Sequence, residues 1–203
     1  MTEYVKFSFR PFEDYRVVSS LSEFLSHADL QYEFKGFEHV VPVIAKEVAV
    51  GLKFLHVGGI AHGDLKPANI LLSDDHYIHV CGDELEFIWE NSPVVCKLSD
   101  FGEGRSSIIQ TQTIFSSRVQ ELVRGTPTYM SPEILLPESR TNEATLEQLK
   151  ATDSCAYGMI LFVLVNPSVR YSYQGELRQE MSTHHLKEPV DNLREIIRRR
   201  QSP

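Results

Sequence analysis

One ten-residue stretch, Ile60-Ala61-His62-Gly63-Asp64-Leu65-Lys66-Pro67-Ala68-Asn69, constrains this chain more than any other. It begins just after an apolar helical run. It then places a carboxylate (Asp64), an ammonium two residues on (Lys66) and a carboxamide five residues on (Asn69) in one short segment. A carboxylate so placed can accept a hydroxyl proton, the ammonium can steady a phosphate, and the carboxamide oxygen can hold a metal ion. The plain alternative is a turn, with Asp64 and Asn69 as turn formers beside Pro67. Two later segments decide between these readings by appearing in order: Lys97-Leu98-Ser99-Asp100-Phe101-Gly102, then Arg124-Gly125-Thr126-Pro127-Thr128-Tyr129-Met130-Ser131-Pro132-Glu133.

Together the three segments resemble the catalytic loop, the metal-binding Asp-Phe-Gly and the Ala-Pro-Glu region of protein kinases. The resemblance covers about residues 1–200 and is strongest over 60–133. It implies a mainly α fold with a small β-hairpin region, that of a protein-kinase-like C-lobe. It also implies ATP and Mg2+ as cofactors, and proteins bearing Ser or Thr as substrates. On this resemblance Asp64 is the catalytic base and Lys66 stabilises the transferring phosphoryl group. Asn69 and Asp100 hold Mg2+ between the phosphates, because oxygen ligands suit that hard cation. Thr126, in its Gly-Thr-x-x-Tyr context, bridges base and lysine, and Lys66 itself is typical of the Ser/Thr class. Glu133 resembles the acid that anchors the activation segment to an Arg near the end of the domain. Arg194 and Arg198 to Arg200 lie near in count, but chain length points to a partner past Pro203. Asp153 resembles the helix acid that holds the backbone of the catalytic loop; its other reading is an N-terminal helix acid favoured by the dipole.

The departures are as informative. No Gly-rich phosphate loop and no Val-Ala-Ile-Lys-like strand precede His62. Met1 to Val5 looks like the hinge between kinase lobes. Residues 1–203 are therefore expected to form one incomplete kinase-like domain, with hinge and C-lobe, no N-lobe, and truncated C-terminal helices. Two functions stay open. One is an ATP-dependent protein Ser/Thr kinase, inactive as this isolated lobe and partnered by an N-lobe or regulatory protein. The other is a non-catalytic, pseudokinase-like scaffold. Gly63 stands where most kinases carry an Arg that pairs with an activation-loop phosphate. Ser106, Ser107, Thr111, Thr113, Ser116 and Ser117 accordingly read as solvent-facing loop residues. His-Gly-Asp also occurs in aminoglycoside and choline phosphotransferases, against which Lys66-Pro67 and the Thr126 to Glu133 run argue.

The rest of the chain fills in a frame. Ser20-Leu21-Ser22-Glu23 is a capping-box pattern that predicts a helix over 21–28. Val40, Val41, Ile44, Val48, Leu52 and Leu55 recur at helical spacing and predict a second over 37–57, ended by Gly58-Gly59. Strands are expected at 70–72, 77–80 and 94–98. Cys81 to Pro93, acidic and without clear periodicity, reads as a surface insertion, longer than the corresponding kinase hairpin. Leu149 to Val165 predicts an apolar helix buried nearly all round. His76-x-x-His79-x-Cys81 holds ligand-type residues, yet a strand would splay the two histidines. His184-His185 and Arg198-Arg199-Arg200 read as exposed polar features. With 203 residues, 42% hydrophobic and 24% charged, one soluble domain is expected. A net charge of −8 does not favour nucleic acid. The apolar run 159–165 is too short to span a membrane. Three widely spaced cysteines read as free thiols, hence a cytoplasmic or nuclear location.

Overall fold

The computed structural model describes residues 5–9, 12, 14, 16–106, 126–136, 145–171, 173–175 and 189–201. Over them run β1 (Phe7–Ser8), β2 (Val17–Val18), α1 (Leu21–Tyr32), α2 (Val40–Val57), β3 (Ile60–Ala61), β4 (Ile70–Ser73), α3 (Asp83–Asn91), β5 (Val95–Leu98), β6 (Arg105–Ser106), α4 (Pro132–Leu135), α5 (Leu146–Val165) and α6 (Pro189–Gln201). The fold is thus mainly α with small antiparallel strand pairs. The readings made for Met1 to Tyr4, Ser107 to Ser117, Arg124, Gly125 and the pair His184-His185 fall outside the described residues. Two compact units make up the chain. The first joins Met1–Phe54, Pro67–Asp100 and Leu164–Ser168; the second joins Leu55–Lys66, Phe101–Val163 and Val169–Pro203.

In the first unit, Ser20 and Glu23 close the capping box. The Glu23 N–H donates to Ser20 Oγ at 3.3 Å, and Glu23 Oε2 accepts the N–H groups of Ser19 and Ser20. The box sets the start of α1 where the sequence pattern puts it. The helix runs beyond Ala28 to Tyr32 because nothing stops it earlier: its left-handed end is built by Glu33 and Phe34, at φ 50° and 62°, not by a glycine. Helix α2 buries Val40, Ile44, Val48 and Leu52 at four-residue steps. Phe37 lies just before that helix, where its carbonyl accepts the Val40 N–H at 3.0 Å. Phe7, Phe9, Phe24, Phe37 and Trp89 meet in an aromatic centre, with Phe7 edge-on to Phe24 at 5.4 Å and Phe37 edge-on to Trp89 at 5.9 Å. Each such pair adds about 0.5–1.5 kcal/mol beyond its area burial.

Two expectations change here. Residues 77–80 are not a strand. Tyr77 ends a 3-10 turn, Asp75–Tyr77. Its N–H and that of Val80 bond locally, to Asp74 and Tyr77 carbonyls, while its buried hydroxyl donates to Pro93 O at 2.7 Å. β-branched content suggested a strand, but the ring and hydroxyl of Tyr77 find their partners only with the chain turned. The acidic segment 81–93 carries helix α3. Asp83, Glu84 and Glu86 favour its N-terminus. One ring, Trp89, anchors it, and His39 Nε2 reaches the Trp89 carbonyl at 2.9 Å. Leu85, Ile88 and Trp89 are the residues of α3 turned from solvent, at three- and four-residue steps, a stripe confined to little more than one turn of a nine-residue helix.

The second unit centres on Met130, Leu135 and Leu136 packed against Leu193, Ile196 and Ile197 of α6. Helix α5 starts three residues before the expected Leu149, at Leu146. A second capping box explains this: the Gln148 N–H donates to Thr145 Oγ1 at 3.2 Å, and Gln148 Oε1 accepts the Thr145 N–H at 2.8 Å. Nor is α5 buried all round. Ala151, Ser154, Gly158, Phe162 and Val165 are exposed at three- and four-residue steps, one stripe of the helix. Cys81, Cys96 and Cys155 are free thiols. Burial, reinforced by Glu47, pushes Cys96 up to about 12, so that thiol stays protonated and inert.

Candidate active site

The polar loop after β3 is built from the second unit. Asp153, on α5, is 2% exposed. Its carboxylate accepts the His62 N–H at 2.7 Å and the Gly63 N–H at 2.9 Å. Gly63 then turns the chain left-handed, at φ 81°, a conformation that a residue without a Cβ adopts freely, and Asp64 leaves that turn. The His62 ring is fully buried and lies against that of Phe101, centroids 5.1 Å apart. Its Nδ1 faces the Asp64 N–H at 3.4 Å. The turn delivers Asp64 and Lys66 side by side. Lys66 Nζ donates to Asp64 Oδ2 at 2.6 Å and to Thr126 Oγ1 at 2.8 Å, and the Thr126 N–H donates to Asp64 Oδ1 at 2.8 Å. Thr126 immediately precedes a 3-10 turn, Pro127–Tyr129, which leaves its backbone extended and its N–H turned to Asp64. Two near neighbours in sequence, Asp64 and Lys66, and the distant Thr126 therefore form one closed polar triangle. Asp64 and Lys66 keep 10% and 23% of their side-chain surface in solvent, enough to meet another molecule.

Asn69 and Asp100 belong to the first unit and come together by backbone pairing. Asn69 ends a 3-10 turn, Pro67–Asn69, at the head of β4. Its carbonyl accepts the Ser99 N–H at 2.9 Å and Ser99 Oγ at 3.0 Å. Asp100 follows Ser99, so both side chains stand at one end of the β4–β5 pair, whose register begins at Ile70↔Leu98. Asp100 is exposed and left-handed, at φ 61°. Non-Gly residues take that conformation at some cost, Asp and Asn least. The donor set is a carboxylate and a carboxamide oxygen, which fits Mg2+. That ion takes one or two protein oxygens and fills its shell with water and phosphate. Among the described residues no cluster of three His, Cys, Asp or Glu side chains forms a cage, so His76, His79 and Cys81 do not converge.

A family model described as the protein kinase domain matches residues 10–201. The chain belongs to the protein kinase family. Among its relatives, the serine/threonine-protein kinase PKZ1 of Phytophthora infestans (strain T30-4) is 30% identical over 148 residues, covering 72% of this chain and 33% of the relative. The serine/threonine-protein kinase PTK1/STK1 of Saccharomyces cerevisiae is 37% identical over 129 residues, 61% of this chain and 17% of the relative. The chain thus spans a third or less of these curated relatives. A crystal structure of the yeast RNA Pol II CTD kinase CTDK-1 complex aligns with TM-score 0.47 and 24% identity over 73% of this chain and 37% of that one.

Two further residues of the kinase domain bear on the site. Glu133 is exposed on α4 and makes no ion pair among the described residues. Arg194, its near neighbour in count, donates instead to the Leu135 carbonyl at 2.8 Å and pairs with Asp191 at 2.9 Å. His56, which the sequence reading passed over, reaches Asp153 Oδ2 with Nε2 at 2.9 Å. Its only signal was its place in the last turn of α2, six residues before His62, indistinguishable in sequence from any helix-end histidine.

Proposed function

We propose that this chain carries the base and phosphate-steadying half of an ATP-dependent protein serine/threonine kinase. The observation that carries this reading is the triangle of Asp64, Lys66 and Thr126. Asp64, held by Lys66 and by the Thr126 amide, orients a substrate Ser or Thr hydroxyl and takes its proton late in the transfer. A positioned base contributes about 10²–10⁴ in rate. Lys66 has three N–H donors. Two go to Asp64 and Thr126, and the third serves a phosphoryl oxygen. Asn69 and Asp100 hold the metal. When bound, Mg2+ with ATP supplies the phosphoryl group and neutralises charge as it develops. Gly63 has no side chain to read an activation-loop phosphate, so in this reading the loop owes its shape to Asp153 and not to phosphorylation.

Phosphoryl transfer is mostly positioning and charge stabilisation. A Gly-rich cover over the phosphates and its lysine are not among these 203 residues. The purified 203-residue chain should therefore transfer negligible phosphate to a generic Ser/Thr substrate. A kinase N-lobe, fused or supplied in trans, should raise the rate, and Asp64→Asn should abolish it. Transfer by the bare chain, lost in Asp64→Asn, overturns the dependence on a second lobe. No Asp64-dependent transfer even with a lobe supplied favours a non-catalytic scaffold.

A further inference from the structure

We propose that helix α2 of one copy of this chain docks on helix α3 of a second copy. The two helices leave faces open to solvent that share one spacing and carry opposite charge. On α2, Lys46, Val50 and Lys53 are exposed at steps of four and three residues, with Phe54, 79% exposed, and Val57 on the same side. On α3, Asp83, Phe87 and Glu90 are exposed at the same steps, and Phe87 keeps 66% of its surface in solvent. With 3.6 residues per turn, each face has an apolar side chain about one turn from a charge on either side, over roughly 10 Å of helix. Lys46 to Phe54 and the whole of α3 lie in the first unit.

Laid side by side, the faces set an ammonium against each carboxylate and the Phe87 ring against Val50 and Phe54. The match holds for parallel and antiparallel helices, because each face has like charges at its two ends. Glu84 and Glu86 add negative charge around Phe87, and α3 has no cation from Asp83 to Asn91. Glu47, beside the α2 face, is half-buried and bears on the Cys96 thiol instead. Among the described residues Lys46, Lys53, Asp83 and Glu90 make no ion pair, so none of these charges is committed to the fold. An aromatic centre inside a charged rim is how an interface patch is built. The inner side of α3 is already fixed: Trp89 packs against Phe12 and Phe37, His39 holds its carbonyl, and His76 Nε2 reaches the Ser92 carbonyl at 2.8 Å just past the helix. A helix anchored in this way loses little freedom when its outer face docks. Both faces are exposed in the single molecule, so neither covers the other there. One chain supplies both halves of the match, which makes the partner a second copy, and a two-fold pair forms the contact twice.

The test is sedimentation velocity on the 203-residue chain over a concentration series, with two charge-reversed variants. One carries Lys46→Glu and Lys53→Glu; the other carries Asp83→Lys and Glu90→Lys. All four positions are exposed, so urea midpoints should stay near that of the parent. The parent should self-associate, and more weakly as salt rises. Each variant alone should associate at least roughly tenfold more weakly, because both of its faces then carry one sign. Mixed in equal amounts, the two variants should associate again, since every acidic face then meets a basic one. Each double substitution moves the net charge of −8 by four, so both variants stay negative and bulk charge does not draw them together. Phe87→Ser should also weaken the parent's association, about tenfold, with its charges intact. A parent that is still monomeric at roughly 0.1 mM overturns the proposal. So does association that both charge reversals leave unchanged, which is unspecific adhesion of apolar surface. Variants that separate as expected but do not recombine on mixing overturn the pairing of α2 with α3.

Discussion

Side chains hold the loop from His62 to Lys66, whereas backbone pairing holds Asn69 and Asp100. In the loop, Asp153 gathers two amides and an imidazole, and Thr126 closes on Asp64 and Lys66. Around Asn69 and Asp100, the bonds that fix position run through the Asn69 carbonyl and the Ser99 amide and hydroxyl. The first arrangement spends its side chains on structure, so changing one should unfold or misdirect the loop. The second leaves the Asp100 carboxylate exposed and uncommitted to the fold. Function and stability should therefore separate at Asp100 and be inseparable at Asp153.

The sharpest break of that contrast is a pair of substitutions. Asp153→Ala strips the partner from His62, Gly63 and His56 in a buried setting and should cost about 3–5 kcal/mol. Asp100→Asn keeps a side chain that tolerates the left-handed backbone and should stay within about 0.5 kcal/mol of the parent. Urea midpoints read both. With an N-lobe supplied, Asp100→Asn should nonetheless lose more rate than the roughly 10–100-fold typical of a weakened outer-shell metal partner. Equal stability losses at the two positions would remove the distinction.

Glycines give the next comparison. Gly63 is used at φ 81°, where an alanine pays for its Cβ, so Gly63→Ala should destabilise by about 1–2 kcal/mol. Gly158 lies exposed within α5, and a Cβ there would meet nothing within 4 Å. Gly158→Ala should stabilise by about 0.5–1 kcal/mol through helix propensity. Thermal melts of the two variants should move in opposite directions; shifts of the same sign would show that the loop does not depend on its left-handed residue.

The same division explains what could be read from sequence. The helices α1 and α2 and the strands β4 and β5 declare themselves through local signals: a capping box, a four-residue apolar step, β-branched runs. Asp64, Lys66, Thr126, Asn69 and Asp100 were singled out because their spacing matches a family pattern; the structure joins the first three by side-chain contacts and sets the last two at one end of the β4–β5 pair. What escaped depends on distant partners. Tyr77 turns because Pro93 offers a carbonyl; α3 turns only the short run Leu85, Ile88 and Trp89 from solvent; His56 meets a carboxylate on another helix. The Thr145-x-x-Gln148 box is different, since it was present in the sequence and simply marks the α5 start better than apolar content does.

The mildest test moves the same chemistry to a more open site. Asp14 binds the β1–β2 connection to α1: Oδ2 accepts His27 Nε2 and Tyr32 OH, both at 2.6 Å, and Oδ1 accepts the Arg16 N–H at 2.8 Å. Like Asp153 it gathers three donors, yet its side chain is 16% exposed against 2%. Burial pushes its carboxyl up, but the bonds from His27, Tyr32 and Arg16 outweigh that and hold it at about 2, below the ordinary 3.8. A carboxyl depressed in the fold stabilises above its ordinary value, and that stability is lost as pH falls from about 4 toward 2. Tyr32 shows the opposite sign. Burial and then Asp14 push its hydroxyl from 10.0 up to about 12, so its contribution is intact below pH 10 and lost as pH rises through that window. Asp14→Asn should cost only about 1 kcal/mol at neutral pH, as solvent screens the pair. It should also flatten the difference in urea midpoint between pH 5 and pH 2.5. A variant that falls as steeply as the parent over that interval would place the acid sensitivity elsewhere, and a neutral-pH loss matching that of Asp153→Ala would show that exposure does not separate the two carboxylates.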